Sequence, residues 1–154
     1  PAPGGKLTRL AGHELENLLG WEVPLLIEAD GAKRLPLKVP ADHEPVILPE
    51  TTHVLSVYGL DSVGKRIEET VFRPELAEKL LNKKRTECVT AEDIALLAAL
   101  RSAGRKGCPD SAVYTVVLNK ADDKRRKDTA LEICRELRKR EIRQVIVTGQ
   151  ESGV

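Results

Sequence analysis

Four short apolar runs, each closed by a glycine, an asparagine or an acid, constrain this chain more than any other feature. They are Leu25–Ala29, ending at Asp30-Gly31; His53–Tyr58, ending at Gly59; Val113–Leu118, ending at Asn119; and Gln144–Thr148, ending at Gly149. Each is too short for a helix and rich in Val, Leu and Ile, which is the pattern of a buried strand. Between the second and third runs lie two helical signals. Pro74–Leu81 opens with proline at a first-turn position, and Ala91–Leu100 follows Thr90 and Asp93 in capping-box spacing. Asp128–Arg140 sets Leu131, Cys134 and Leu137 on one stripe, with Ala130 and Ile133 beside it, and a shorter amphipathic turn covers His13–Leu19. Near-continuous apolar strands alternating with helices predict an α/β fold. Its mostly parallel sheet is joined by right-handed crossovers and has helices on both faces. Ligands of such a sheet gather at the carboxyl ends of its strands.

The 154 residues suit one domain spanning the whole chain. Aromatic residues make up 3%, so the core is built from Leu, Val, Ile and Ala, which argues against an all-β sandwich. Charged residues reach 32% yet cancel to a net +1, which gives no broad attraction for nucleic acid or an anionic membrane. The basic run Lys124–Lys127 reads as a solvated helix start, because Glu132, Glu136 and Glu141 follow it. No run approaches the roughly 20 apolar residues of a membrane span, and no signal core is present, so a cytoplasmic location is expected. Cys88, Cys108 and Cys134 form no CxxC pair, and their odd number fits reduced structural thiols. The chain has no Met and opens Pro1-Ala2-Pro3-Gly4-Gly5, which reads as the middle of a loop, so further residues are expected upstream.

Two segments carry the pattern of nucleotide chemistry. In Glu28-Ala29-Asp30-Gly31-Ala32-Lys33 a strand delivers two acids to its end. Mg²⁺ in a nucleotide site takes one or two carboxylates and lets phosphates and water complete its shell, which Asp30 with Glu28 can supply. An acid at that place also caps a turn, and these residues alone leave both readings open. In Leu118-Asn119-Lys120-Ala121-Asp122 an N-K-x-D box stands where a strand ends, as in the guanine-specificity box of GTP-binding proteins. There the Asp accepts a pair of N–H bonds that adenine cannot offer. The plain alternative is a turn and a helix cap.

Between these boxes, prolines 36, 40 and 45 stiffen a loop that presents Lys38, Asp42, His43 and Glu44. His43 with Glu44 is a candidate for acid–base work, though an ordinary loop hydrogen bond explains one histidine equally well. Gly4-Gly5-Lys6 is not assigned to phosphate binding, because Leu7 stands where a phosphate loop has Ser or Thr.

Taken in order, Glu28–Lys33, Pro36-Leu37-Lys38, His43-Glu44-Pro45-Val46-Ile47, Gly59-Leu60-Asp61, Arg73-Pro74-Glu75 and Leu118–Asp123 resemble the YqeC family over roughly Glu28 to Asp123. The resemblance implies a P-loop NTPase-like protein that serves as an accessory factor in maturing selenium-dependent molybdenum hydroxylases. Its phosphate loop lies upstream of the acidic strand and is not matched here. It implies Asp30 and Glu28 toward Mg²⁺; Asn119, Lys120 and Asp122 toward the base of GTP or ATP; and Gly31, Lys33, Lys38, His43 and Glu44 lining the same cleft, with Asp30, Lys33, His43 and Glu44 as catalytic candidates. A molybdenum hydroxylase or a selenium-delivery protein is the expected partner. The competing expectation is a non-catalytic assembly or cofactor-binding module whose nucleotide boxes are vestigial, and direct selenium handling by a cysteine is a third.

Overall fold

The computed structural model describes residues 17, 18, 20 and 23–150. Most of the expected turn at His13–Leu19, and all of Gly4-Gly5-Lys6, lie outside the described residues. In order the chain forms β1 (Leu37–Lys38), β2 (His53–Gly59), a 3-10 turn (Leu60–Ser62), α1 (Ile67–Thr70), β3 (Val71–Phe72), α2 (Pro74–Leu81), α3 (Ala91–Ala99), β4 (Val113–Asn119), α4 (Lys124–Lys139) and β5 (Val145–Val147). The strands make two parallel sheets, β1-β3 and β2-β4-β5. The fold is therefore α/β, with its parallel strands split between two small sheets. A Gly59 N–H donating to Pro36 O at 2.9 Å joins the end of β2 to the start of β1.

The helices begin where their caps dictate. Pro74 takes the first turn of α2 after Arg73 in the left-handed region, and Asn82, also left-handed, ends it. Thr90 and Asp93 exchange the reciprocal bonds of a capping box at α3. The Asp123 carboxylate accepts from the Arg126 N–H and starts α4 four residues ahead of the expected Asp128. The basic run thus forms the first turn of α4, where Asp122 and Asp123 offset charge that otherwise opposes the helix dipole. Buried Tyr58, Val116 and Leu118 of the sheet share one core with Ile94 and Leu97 of α3 and Ile133 and Leu137 of α4.

Two expectations are corrected. Among the described residues, helices cover one face of the β2-β4-β5 sheet, not both. On the other face Leu55, Val57, Val113 and Ile146 are 50, 57, 44 and 48% exposed. Apolar side chains on both sides of each strand give the sequence the look of a doubly covered sheet whatever lies against the second face. Leu25–Ala29 is not a buried strand: it belongs to no ladder, and Leu25, Leu26 and Ile27 are 38, 91 and 49% exposed. A strand exists only through its ladder, and the bond from the Val46 N–H to Ala29 O at 3.3 Å does not by itself make one.

Candidate functional site: a charged cleft at the carboxyl end of the sheet

A cavity of about 370 Å³ opens beside β2 and is lined by Asp30, Arg34 and Lys38 on one side and by Ser56, Tyr58, Asn119 and Lys120 on the other. Residues ninety positions apart in sequence thus share one cleft, because β2 and β4 run parallel and in register from His53↔Val113 to Gly59↔Asn119.

On the first wall an ion network fixes the side chains. The ammonium of Lys38, whose side chain is 8% exposed, sits 3.1 Å from Asp30 Oδ2 and 2.7 Å from Glu44 Oε2. It donates to the Gly31 carbonyl at 3.0 Å. Arg73 donates to the same Glu44 Oε2 at 2.7 Å. Lys33, Lys38 and Arg73 surround the Phe72 ring with their charges 4.8, 5.8 and 4.4 Å from its centroid. Hydrogen bonds from Arg73 and then Lys38 hold the Glu44 carboxyl down at about 2. Glu44 is therefore ionised throughout the neutral range and serves as a fixed acceptor, poorly suited to proton transfer.

His43 stands aside. Its side chain is 77% exposed and its Nε2 lies 3.9 Å from Glu44 Oε1. Glu28 is also exposed and does not line the cavity.

Among the described residues no cluster of three His, Cys, Asp or Glu side chains can cage a metal. The space between Asp30, Glu44 and the Gly31 carbonyl is filled by the Lys38 ammonium. The donor set does not fit a resident metal ion. It does fit an ion carried in on phosphates, which needs a single carboxylate, and Asp30 is the one carboxylate on the cavity wall.

The second wall is the N-K-x-D turn. Asn119 Oδ1 accepts from its neighbour's N–H, that of Lys120, at 2.8 Å, and from Thr148 Oγ1 at 3.0 Å, tying the β4 loop to the β5 loop. Lys120 adopts φ 67°, and its ammonium donates to Asp61 Oδ2 at 2.8 Å. Asp122 Oδ1 accepts from the Gln150 N–H at 2.8 Å, and Oδ2 from Arg126 at 3.0 Å. Gly149 presses on this turn so closely that a Cβ there would come within 2.7 Å of the Ala121 backbone. The turn is thus preorganised by its neighbours.

The structure brings Asp30, Lys38, Asn119 and Lys120 onto one cavity. Gly31, Lys33 and Glu44 lie in the surrounding network, while Asp122, Glu28 and His43 do not line the cavity, the Glu28 carboxylate lying close to Gly31. Sequence reasoning assigned no role to Asp61, Phe72, Arg73, Arg34 or Thr148. Asp61 carried a usable signal: it is an acid just past the glycine that ends a strand, as Asp30 is an acid at the end of an apolar run. Its Oδ1 is buried with no hydrogen-bond partner among the described residues.

Fold and cleft together define a parallel α/β protein with a rigid, charged pocket at the carboxyl ends of its strands. The family described as YqeC protein matches residues 1–75, and over this part the chain is similar to that family. A 50-residue stretch is 42% identical to the "Uncharacterized protein YqeC" of Escherichia coli (strain K12), covering 32% of this chain and 20% of that relative. No solved structure matches the chain. The family match takes in the Asp30–Lys38–Glu44–Arg73 network and Asp61 and stops before the Asn119–Asp122 turn. No helix among the described residues is long and apolar enough to cross a membrane.

Proposed function

We propose that the chain contributes the base-reading and phosphate-facing walls of a guanine-nucleotide site, in an accessory protein for the maturation of selenium-dependent molybdenum hydroxylases. The observation that supports this is the convergence of Asp30 with the Asn119–Lys120 turn on one cavity at the carboxyl ends of parallel strands. Asp122 reads the guanine edge, Lys120 lies along the base, and Asn119 holds the β4 and β5 loops at fixed spacing. Asp30 would hold Mg²⁺ arriving with the phosphates, which would supply charge neutralisation there. Lys38 and Arg73 keep Asp30 and Glu44 in place.

The cleft is built for binding and switching. Asp30 on the cavity wall and Glu44 in the adjoining network are both engaged by cations, and His43 is exposed to solvent, so turnover depends on groups outside this pair of walls. The role in selenium-cofactor maturation follows from the family resemblance and names the expected partner, a molybdenum hydroxylase or a selenium-delivery protein.

Calorimetry of the longest natural form of the polypeptide tests the reading. GDP with Mg²⁺ should bind at least about tenfold more tightly than ADP, the worth of one well-placed donor–acceptor pair. Asp122→Ala should erase that difference. Equal affinity for both nucleotides in the unaltered protein would overturn the guanine assignment. Absence of either nucleotide's binding would favour the assembly module.

A further inference from the structure

Lys120 is tied at three places, two of them close in sequence. Its N–H donates to Asn119 Oδ1 at 2.8 Å, and its carbonyl accepts from the Arg126 guanidinium at 3.4 Å. The third tie reaches into the loop of the neighbouring strand: the ammonium donates to Asp61 Oδ2 at 2.8 Å, 59 positions back in the chain. β2 and β4 end side by side, Gly59 against Asn119. The lysine stem therefore runs crosswise from the end of one strand toward the end of the other, beside the cavity that Gly59, Asn119 and Lys120 all line.

The nearer acids are engaged elsewhere. Asp122 and Asp123 both hold the Arg126 guanidinium, at 3.0 and 3.3 Å. Asp61 does not line the cavity, and its side chain is 19% exposed, so it meets the lysine and not the cavity's contents.

The Asp61 carboxylate is also not what closes its own turn. Ser62 Oγ donates to Gly59 O at 2.7 Å and the Val63 N–H donates to Leu60 O at 3.3 Å, with Leu60 and Ser62 buried. The carboxylate is pressed against the end of β2, where a Cβ on Gly59 would stand 2.6 Å from Asp61 Oδ1. That oxygen is buried with no hydrogen-bond partner among the described residues, which lowers stability. A side chain without the carboxylate would avoid that loss, so what the acid contributes is the place of the lysine.

We infer that Asp61 is a positioning residue, which fixes the Lys120 stem in the ligand-free protein where the plane of a purine base is to lie along it. This role rests on the nucleotide reading proposed above and adds to it a residue outside the cleft. A free lysine stem loses rotamer freedom when a ligand settles on it. Pinned at its far end beforehand, it loses little, and affinity rises about three- to tenfold, the worth of one side chain immobilised in advance.

Calorimetry with GDP and Mg²⁺ tests it on four versions of the longest natural form of the polypeptide: native, Asp61→Ala, Lys120→Met and the double variant. Asp61→Ala should weaken binding about three- to tenfold when Lys120 is present, and by less than about twofold in the Lys120→Met background, because the acid acts through the lysine. Equal losses in both backgrounds, or no loss in either, would overturn the inference and leave the nucleotide reading standing. No GDP binding by the native protein would overturn both. Should Asp61→Ala not fold, the nuclear magnetic resonance order parameter of the Lys120 Cε in the native protein decides. It should be as high without nucleotide as with it, and a stem that becomes ordered only on binding contradicts the positioning role.

Discussion

Replacing Glu44 by Gln removes the one acceptor shared by Lys38 and Arg73, and the consequence can be worked from the site itself. The Glu44 carboxyl titrates at about 2 in the folded protein against an ordinary 4.5. At about 1.4 kcal/mol per tenfold change, that difference caps its contribution near 3 kcal/mol. The side chain is 21% exposed and partly screened, and Lys38 retains Asp30 and the Gly31 carbonyl, so about 1–2 kcal/mol is the expected loss at pH 7. The sign follows from the depressed folded value. The stabilisation is complete above pH 4.5 and disappears as the pH falls from there toward 2. Urea unfolding of the native protein and Glu44→Gln at pH 7, 4 and 3 should therefore give curves that differ most at neutral pH and converge in acid. Glu78, Asp110 and Glu136, also held low by arginine or lysine partners, are common to both proteins and cancel in the difference. A gap between the curves that stays constant with pH would refute the network as the source of Glu44's stabilising role.

Further outcomes follow from single contacts. Gly104→Ala places a Cβ 2.2 Å from Tyr58 Oη and 2.8 Å from Tyr114 Oη. It should destabilise by about 1–3 kcal/mol in thermal unfolding, with partial recovery on adding Tyr58→Phe. Both tyrosines are held above their ordinary value, chiefly by burial, Tyr58 the more strongly. A phenolate absorbance titration should thus show little ionisation at pH 10. Arg126→Ala removes the cation on Asp122 Oδ2 and should tighten guanine-nucleotide binding about two- to fivefold, the worth of a surface ion pair. Weaker binding instead would assign Arg126 to the ligand.

The legible parts of this fold were those whose physics is local. Val113–Asn119 and His53–Gly59 announced themselves by continuous apolar runs ended by Asn or Gly, and Thr90 with Asp93 marked α3 by its cap. β1 and β3 are two residues each and carry no period, so their pairing was invisible before Leu37 met Val71. The error at Leu25–Ala29 has the same origin in reverse: composition reports a wish to be buried, while burial needs a partner. Asp30 and the Asn119–Lys120 turn were readable as separate boxes. That Lys38 stands between Asp30 and Glu44, and that Asp61 takes Lys120, depends on contacts spanning up to 59 positions, which no local pattern encodes.

The central claim is that Asp30 and the Asn119–Asp122 turn serve one ligand. Backbone amide shifts of the isotope-labelled longest natural form, followed through a titration with Mg²⁺ and GTP, test it most directly. The account predicts that Asp30–Lys38 and Asn119–Asp122 shift together along one saturation curve, and that adenosine triphosphate at the same concentration leaves Asn119–Asp122 largely unmoved. Shifts confined to one of the two segments, or saturating at different concentrations, would contradict it.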